Sequence, residues 1–397
     1  MFSGLNRNVA VLSLTLIVVS LGFGMVIPVF PFLISDLGGG GTELGALVAV
    51  AAATELLFGP VWGGISDRIG RKPVLALGMF GFAVSLALFG IATELWMLYL
   101  FRALSGILTS AASSSAMAYI GDSIPQTERG GGMGILGAAG GLGLILGPGF
   151  GGGLATVSLS TPFFVGAGIA LATVPLVVLL LPESLPTGGP AGTGADRPGI
   201  RRMLNVVMRT PVRFLLLLAF LASFGLANFE AVFGLYALEK FRLGPGEVGV
   251  LLTVVGLVST LGKIFTGALT LRWGDAAVIK GSLFAGSIGF LVLLAANSYA
   301  TILLATGLFI LSKTFLRPSV LSLTSREAVF GQGVTMGLSN SAMSLGRIVG
   351  PLWAGFAFDL DIRFPYLSGA AILFVGFLAS LAALASSTAP FLRVKTP

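Results

Sequence analysis

The chain of 397 residues is 55% hydrophobic and only 10% charged, and its mean hydropathy is +0.99. Soluble domains carry about 25% charged residues, so this composition excludes an ordinary soluble protein and predicts an all-helical protein that crosses a membrane many times. The absence of cysteine and histidine excludes disulfides, thiol nucleophiles and the usual zinc and haem sites. The net charge of +7 would suggest nucleic-acid binding in a soluble protein, but here the loops explain it.

Apolar runs of about 20 residues are long enough to cross a bilayer as helices. The sequence predicts twelve such spans, at residues 9–34, 43–65, 73–92, 95–120, 130–155, 162–181, 212–238, 247–270, 277–296, 300–322, 330–357 and 364–386. The first run is longer than the apolar region of a signal peptide and lacks a small-residue cleavage site, so we predict a span there.

The basic residues are concentrated in alternate loops, which predicts the orientation of the chain. Most of the 23 Lys and Arg residues fall on one side of the predicted spans, and outside the helices only Lys240, Arg242 and Arg363 fall on the other. The positive-inside rule therefore predicts that both termini are cytoplasmic. A polar, Gly- and Pro-rich loop at 184–210 separates a predicted N-terminal bundle, 1–183, from a C-terminal bundle, 211–397.

The two predicted bundles repeat each other in sequence. The pattern in the first consists of Gly134, Gly143, Gly147, Pro148, Gly151 and Gly152. An offset of 203 residues gives Gly337, Gly346, Gly350, Pro351, Ala354 and Gly355 in the second. Two six-helix halves with a binding site between them are a known design of secondary transporters. The duplication therefore favours transport.

Two carboxylates lie inside predicted spans, where a charge costs roughly 2.5–3.5 kcal/mol on insertion scales. Glu230 stands in the run GLANFEAVFGLY, and Glu55 stands in AAATELLFGPVWGG. Burial without a counter-charge favours the protonated form of a carboxylate, so Glu230 is a candidate proton carrier. The alternative is a structural ion pair of Glu230 with Lys263, Lys313 or Arg317. Glu55 is a second proton site, a ligand for a cationic group or an ion-pair partner.

Further motifs resemble those of the major facilitator superfamily. The loop GGISDRIGRKP (63–73), the glycine pattern of the fifth span, Arg102 with Gly106, and LPES (181–184) all fit that superfamily. Within it, the chain resembles the twelve-span drug:proton antiporters, namely bacterial quinolone and multidrug pumps and tetracycline exporters. The resemblance implies an all-α transmembrane fold of 12 helices in two pseudo-symmetric six-helix bundles. The glycine pattern would then be the antiporter motif, which either seals the halves against leakage or serves generic packing.

The resemblance also implies roles for particular residues. A charge cluster of Asp67, Arg71 and Asp122 would hold the halves together in the outward-facing state. The alternative is an ordinary turn whose basic residues only set the orientation of the chain in the membrane. The whole latch motif consists of Gly63, Asp67, Arg68, Gly70, Arg71, Lys72 and Asp122. Quinolone pumps carry an acid at the position of Glu230 and a basic residue at that of Arg317. Arg102 is either structural or part of a proton relay.

Basic residues within predicted spans outnumber the acids there. They are Arg102, Lys263, Lys313, Arg317 and Arg347. This excess favours zwitterionic, weakly anionic or lipophilic substrates, unless each cation pairs with an acid or extends to an interface. The candidate residues of a substrate cavity are Met25, Phe30, Asn228, Phe229, Phe233, Asn340, Met343 and Arg347.

These observations predict a proton-coupled exporter of amphipathic small molecules in the bacterial cytoplasmic membrane. We expect a monomer that meets lipid, protons and substrate but no nucleic acid, and that uses the proton gradient with no cofactor, since the sequence has no phosphate-binding loop. One alternative is a transporter of a sugar, a metabolite or a lipid-like molecule. A receptor or scaffold that transports nothing would leave the deep acids unexplained, and no catalytic constellation indicates an enzyme.

Overall fold

A computed structural model describes residues 2–123, 129–185, 212–326 and 332–384. These residues form thirteen α-helices and no strand. The helices are α1 (Phe2–Val26), α2 (Phe30–Asp36), α3 (Gly41–Ile69), α4 (Arg71–Gly90), α5 (Leu95–Ser123), α6 (Arg129–Ala155), α7 (Thr161–Leu180), α8 (Val212–Phe241), α9 (Pro245–Trp273), α10 (Asp275–Ala295), α11 (Tyr299–Arg326), α12 (Gln332–Leu360) and α13 (Phe364–Ala383). The predicted linker 184–210 lies outside the described residues from 186 onward.

Eleven of these helices are long and apolar enough to cross a membrane. They correspond to eleven of the twelve predicted spans. The remaining predicted span, 330–357, is the 29-residue helix α12, which has the required length. Its N-terminal half carries Thr335, Ser339, Asn340 and Ser341, and these polar side chains lower its apolarity below that of the others.

The first predicted span, 9–34, is two helices rather than one. The α-helix stops at Val26, and α2 begins at Phe30 after a three-residue turn. Pro28 stands in that turn, where its missing N–H and its ring disfavour a continuous helix. Pro31 lies in the first turn of α2, a position that proline favours. The α2 helix ends at Asp36, which is exposed, as expected of a solvated acid.

The chain contacts divide the protein into two compact units. The first consists of Met1–Gly194 and Gly234–Gly256, and the second of Ala195–Phe233 and Leu257–Pro397. In the first, α1 packs on α6 and α7, while α5 packs on α3 and α4. In the second, α10 packs on α11 and α13.

The sequence repeat appears as a repeat of helix packing. In the first unit, a Cβ atom on Gly143 would meet the carbonyl oxygen of Ile17 at 2.5 Å and the nitrogen of Leu21 at 2.7 Å. In the second, a Cβ on Gly346 would meet the oxygen of Phe220 at 2.6 Å and the nitrogen of Phe224 at 2.8 Å. Each of these residues is 203 positions after its counterpart. Glycine therefore lets the same two helix backbones touch in both units.

Candidate functional site

Glu230 is an exposed residue within a buried stretch of α8. Residues 227–229 and 231–237 on either side of it are buried, whereas Glu230 itself is exposed. An acid directed at lipid would be strongly unfavourable, since ionisable groups in membranes face the bundle interior or a water-filled space. Its exposure therefore favours a side of α8 that faces water over one that faces lipid.

Three basic residues of the second unit are linked to Glu230 by successive electrostatic interactions. Arg347 on α12 interacts electrostatically with Glu230 and with Arg317 on α11. Arg317 interacts in turn with Lys263 on α9. All four side chains are exposed. We call this set the charge chain: one anion, Glu230, at one end of three cations.

One cation of the second unit interacts electrostatically with the candidate proton carrier Glu230. The expected structural partners of Glu230 were Lys263, Lys313 or Arg317, but the cation that acts on it is Arg347. Lys313 is instead buried, with only 6% of its surface exposed. Its Nζ has no hydrogen-bond partner among the described residues. The sequence could not have shown this, because Glu230 and Arg347 are far apart along the chain.

Two of the candidate ionisable residues of the first unit, Glu55 and Arg102, lie on α3 and α5. Glu55 is half-buried on α3. Arg102 on α5 is 5% exposed, and its guanidinium carbon lies 5.3 Å from the ring centroid of Phe23 and 5.0 Å from that of Phe30. Cation–π contacts of this kind stabilise an arginine away from water. This environment fits the structural alternative for Arg102.

The segment 63–73, predicted as a loop, is the end of α3 and the start of α4 with only Gly70 between them. Together with the end of α5 it brings three charged residues together. Arg71 donates from Nε to Asp122 Oδ2 at 2.9 Å, and its Nη1 forms an ion pair with Asp67 at 2.5 Å. Nη1 also donates to Ser66 Oγ at 3.3 Å. Arg71 is therefore the centre of the cluster that the motif predicts, with its side chain 10% exposed. Arg68 is exposed, and Gly63 lies within α3.

A fourth charged residue, to which the sequence assigned no role, lies beside this cluster. Glu183, just after α7, accepts hydrogen bonds from the backbone N–H groups of Arg71 at 2.8 Å and of Lys72 at 3.2 Å, and so caps the N-terminus of α4. Gly70, between α3 and α4, has φ +108°, and a Cβ there would collide with the Glu183 carboxylate. Its sequence signals were its position after an apolar run and its place in the LPES motif (181–184), neither of which gave it a role.

Hydrogen bonding controls the ionisation of this cap. Burial raises the pKa of the Glu183 carboxyl, but hydrogen bonds from the backbone N–H groups of Leu185, Arg71, Lys72 and Ser184 outweigh that effect. The pKa of Glu183 therefore lies below its ordinary value. The cap is a carboxylate at neutral pH.

The glycine pattern of α6 divides into contact and non-contact positions. Gly143, Gly147 and Gly151 face the backbone of α1, and a Cβ on Gly147 would lie 2.7 Å from Gly24 Cα. Gly152 faces the start of α9, where its Cβ would lie 2.9 Å from Gly249 Cα. A Cβ on Gly134, by contrast, would meet no neighbouring atom within 4 Å. Pro148 lies inside the helix without ending it.

The candidate cavity residues divide into buried and exposed groups. Asn340 and Arg347 are exposed on α12. The buried members are Met25, Phe30, Asn228, Phe229, Phe233 and Met343. Among them, Phe229 packs on Phe233 with ring centroids 4.6 Å apart, and Asn228 Nδ2 donates to the carbonyl oxygen of Pro365 at 2.8 Å. In this packing the aromatic candidates belong to the core, so the exposed polar residues present the more accessible chemistry.

Comparison with known proteins extends this description. The sequence profile described as Major Facilitator Superfamily matches residues 12–236 and 215–395. Multidrug resistance protein 1 of Bacillus subtilis (strain 168) is 31% identical over 379 residues, which are 95% of this chain and 96% of that protein. Quinolone resistance protein NorA of Staphylococcus aureus is 30% identical over 380 residues, 95% of this chain and 96% of that protein.

Among solved structures, a bacterial homolog to the human lysosomal transporter Spinster, in its inward-facing and occupied conformation, superimposes on this chain with a TM-score of 0.79. The two are 14% identical, and the match covers 95% of this chain and 96% of the other. At 14% identity, this similarity shows a shared fold and nothing more.

Proposed function

Because this chain belongs to the major facilitator superfamily, and is therefore a multi-pass membrane transporter, we propose that it is a proton-coupled antiporter. It exports amphipathic small molecules from the bacterial cytoplasm by alternating access. The names of the relatives, which describe multidrug and quinolone resistance, support export of such compounds. We propose that the protein works as a monomer with both termini in the cytoplasm.

The observation that carries the proposal is the position of Glu230. An ionisable group at membrane depth is expensive, and it is retained where it carries out transport. Glu230 is exposed although its neighbours on α8 are buried. A proton from water can therefore reach its carboxylate, and no histidine competes for that role.

The charge chain provides a physical link between the proton and the conformation. With Glu230 ionised, its attraction to Arg347 offsets the repulsion between Arg347 and Arg317; protonation of Glu230 removes that offset. Protonation therefore makes this arrangement of α8, α11 and α12 less favourable and promotes the change of state. Each proton that moves down 100 mV supplies about 2.3 kcal/mol, and each pH unit about 1.4 kcal/mol.

The proposal assigns supporting roles to the other motifs. Glu55 in the first unit is a second proton site. The cluster of Asp67, Arg71 and Asp122 stabilises one end state of the cycle, and the glycines of α6 keep the bundle closed against leakage.

The decisive experiment is flux in proteoliposomes that contain purified protein and a fluorescent lipophilic cation as the probe. An imposed pH gradient should accelerate movement of the probe by wild type. Glu230→Gln, which mimics the protonated acid, should remove this dependence on the gradient while leaving exchange of probe at equilibrium. Asp36→Asn, an exposed acid at the end of α2, is the matched control and should behave as wild type. Wild-type flux that ignores the gradient, or a coupled Glu230→Gln variant, would refute the proposal.

A second candidate function follows from the sign of the charge chain. Three cations accompany one acid there, so a carboxylate-bearing or zwitterionic metabolite would find more attraction than a cationic drug. Competition in the same vesicles distinguishes the two. Inhibition of probe flux by organic anions and not by organic cations would favour the metabolite transporter, whereas inhibition by cations alone would exclude it.

A further inference from the structure

Lys313 lies in the interior of the second unit, on the inward side of α11. The residue is 6% exposed, and its Nζ atom is buried without a hydrogen-bond partner among the described residues. The ring of Phe309, one turn earlier on the same helix, has its centroid 5.7 Å from Nζ. A lysine that is nine-tenths buried and lacks a partner is rare, because such residues are usually paired.

Two glycines create the space for this side chain. A Cβ atom on Gly225 of α8 would lie 2.9 Å from Nζ, and one on Gly286 of α10 would lie 3.2 Å from it. Leu373 of α13 also contacts both glycine positions. The amine therefore occupies a slot between α8, α10 and α13 that is lined by backbone and apolar carbon.

Two carboxylates on the surrounding helices interact with groups other than Lys313. On α8, Glu230 is five residues beyond Gly225, roughly 7.5 Å along the axis, and it interacts with Arg347 of α12. On α10, Asp275 accepts from Ser322 Oγ at 2.9 Å and pairs with Arg326. The other charged or titratable groups of the neighbouring helices are Arg213, Tyr236, Glu239, Lys240, Glu247, Lys263, Arg272, Lys280, Asp359 and Tyr366, with Tyr299 and Arg317 on α11 itself. Hence no hydrogen bond joins a carboxylate to Nζ among the residues that the structure describes.

We propose that Lys313 is a further proton-binding site of this transporter, besides Glu230 and Glu55, neutral in the packing seen here and protonated when α8, α10 and α13 separate around it. Methionine or leucine would fill the same slot with no polar atom to desolvate, so packing alone does not explain a lysine. A flexible amine can instead hold a proton in one packing and release it in another. Its role in the transport cycle depends on the proposed proton coupling, whereas its protonation on opening does not.

Proton linkage gives a test that needs no transport. The unfolded chain binds a proton at Lys313 over the whole neutral range, and the folded packing excludes it, so unfolding takes up one proton. We would measure reversible unfolding in mixed micelles at pH 6 and between pH 8 and pH 9.5, where the slope is evaluated, for wild type, Lys313→Met and Lys313→Leu. The ratio of the unfolding constant of wild type to that of Lys313→Met should fall by about tenfold per pH unit. Both variants should be more stable than wild type at pH 6.

Lys263→Met is the matched control, because Lys263 is exposed on neighbouring α9 and its loss should leave the wild-type pH slope unchanged. A constant ratio between wild type and Lys313→Met would overturn the inference. So would variants that are less stable than wild type at every pH, or that fail to fold at all, since either result means that the ammonium is needed in the folded state. Flux measurements distinguish this inference from the proposed function. Wild-type flux that does not depend on the pH gradient would refute proton coupling, but it would not affect the result of the unfolding experiment.

Discussion

Glu183 accepts a hydrogen bond from the backbone N–H of Arg71 at 2.8 Å, across 112 residues of sequence. The segment after α7 thereby caps the first turn of α4. The side chain of the same Arg71 reaches Asp122 at the end of α5. One residue thus links α4 to α5 through its guanidinium and to the segment after α7 through its backbone.

The first prediction concerns this cap. Glu183→Ala should lower the free energy of unfolding at pH 7 by about 1 kcal/mol, in the range of N-cap losses, and Glu183→Gln by less. Because the pKa of Glu183 is lowered in the folded state, its stabilisation is complete above the ordinary value and is lost as the pH falls below it. Unfolding measured between pH 7 and pH 3 should therefore show wild type and Glu183→Gln converging at low pH. A constant difference would contradict the role of the carboxylate charge.

A second prediction tests the two interactions that the Arg71 guanidinium makes at the same time. Arg71→Lys keeps the charge, but a single ammonium cannot reproduce the Nε bond to Asp122 together with the Nη1 bond to Asp67. We expect a loss of about 1–3 kcal/mol in unfolding free energy and reduced flux. Arg68→Lys, at an exposed position in the same segment, is the control. Equal effects of the two substitutions would show that only charge matters there.

The third prediction is that Gly→Ala substitutions at positions related by the repeat have the same effect on stability. Gly143→Ala and Gly346→Ala should each destabilise by roughly 1–3 kcal/mol, because the new methyl group meets backbone atoms closer than 3 Å. Gly134→Ala and Gly337→Ala have open space and should be neutral or slightly stabilising. Thermal unfolding of the four variants provides the measurement. Similar destabilisation at all four positions would indicate that flexibility, and not contact, explains the pattern.

The fourth prediction examines the charge chain. A double-mutant cycle of Glu230→Gln and Arg347→Gln on unfolding free energy should give a coupling of about 0.2–1 kcal/mol, the range for exposed pairs. The parallel cycle with Lys263→Gln should give none, since Lys263 interacts with Arg317. High salt should reduce the first coupling. If Lys263 couples to Glu230 as strongly as Arg347 does, the order of the chain is wrong.

Local patterns predicted much of this fold. The apolar runs correspond to the helices, and the prediction of an all-helical major facilitator protein is confirmed. The first run was wrong as a single span, because the prolines at 28 and 31 matter more than its hydrophobicity. The predicted span at 330–357 is a helix of the right length, but its polar N-terminal half separates it from the eleven strongly apolar ones.

The candidate site was predicted less completely. Sequence placed Glu230 and Arg71 among the important residues, since a deep acid and a charged turn are unusual in any apolar chain. It gave no role to Glu183, and it treated Lys313 as a potential partner of Glu230. Both depend on which helices lie side by side, and no spacing along one helix reports that.

The sequence by itself determined the helical class, the internal duplication and the residues that are costly in a membrane, because each follows from hydrophobicity and spacing along the chain. The tertiary structure alone decided which partner each of these residues meets. Arg347 acts on Glu230, Glu183 caps α4, and two glycines from different helices enclose Lys313. Electrostatic and packing energies fall off within a few ångströms, so they depend on neighbours in space, which residues far apart in sequence supply.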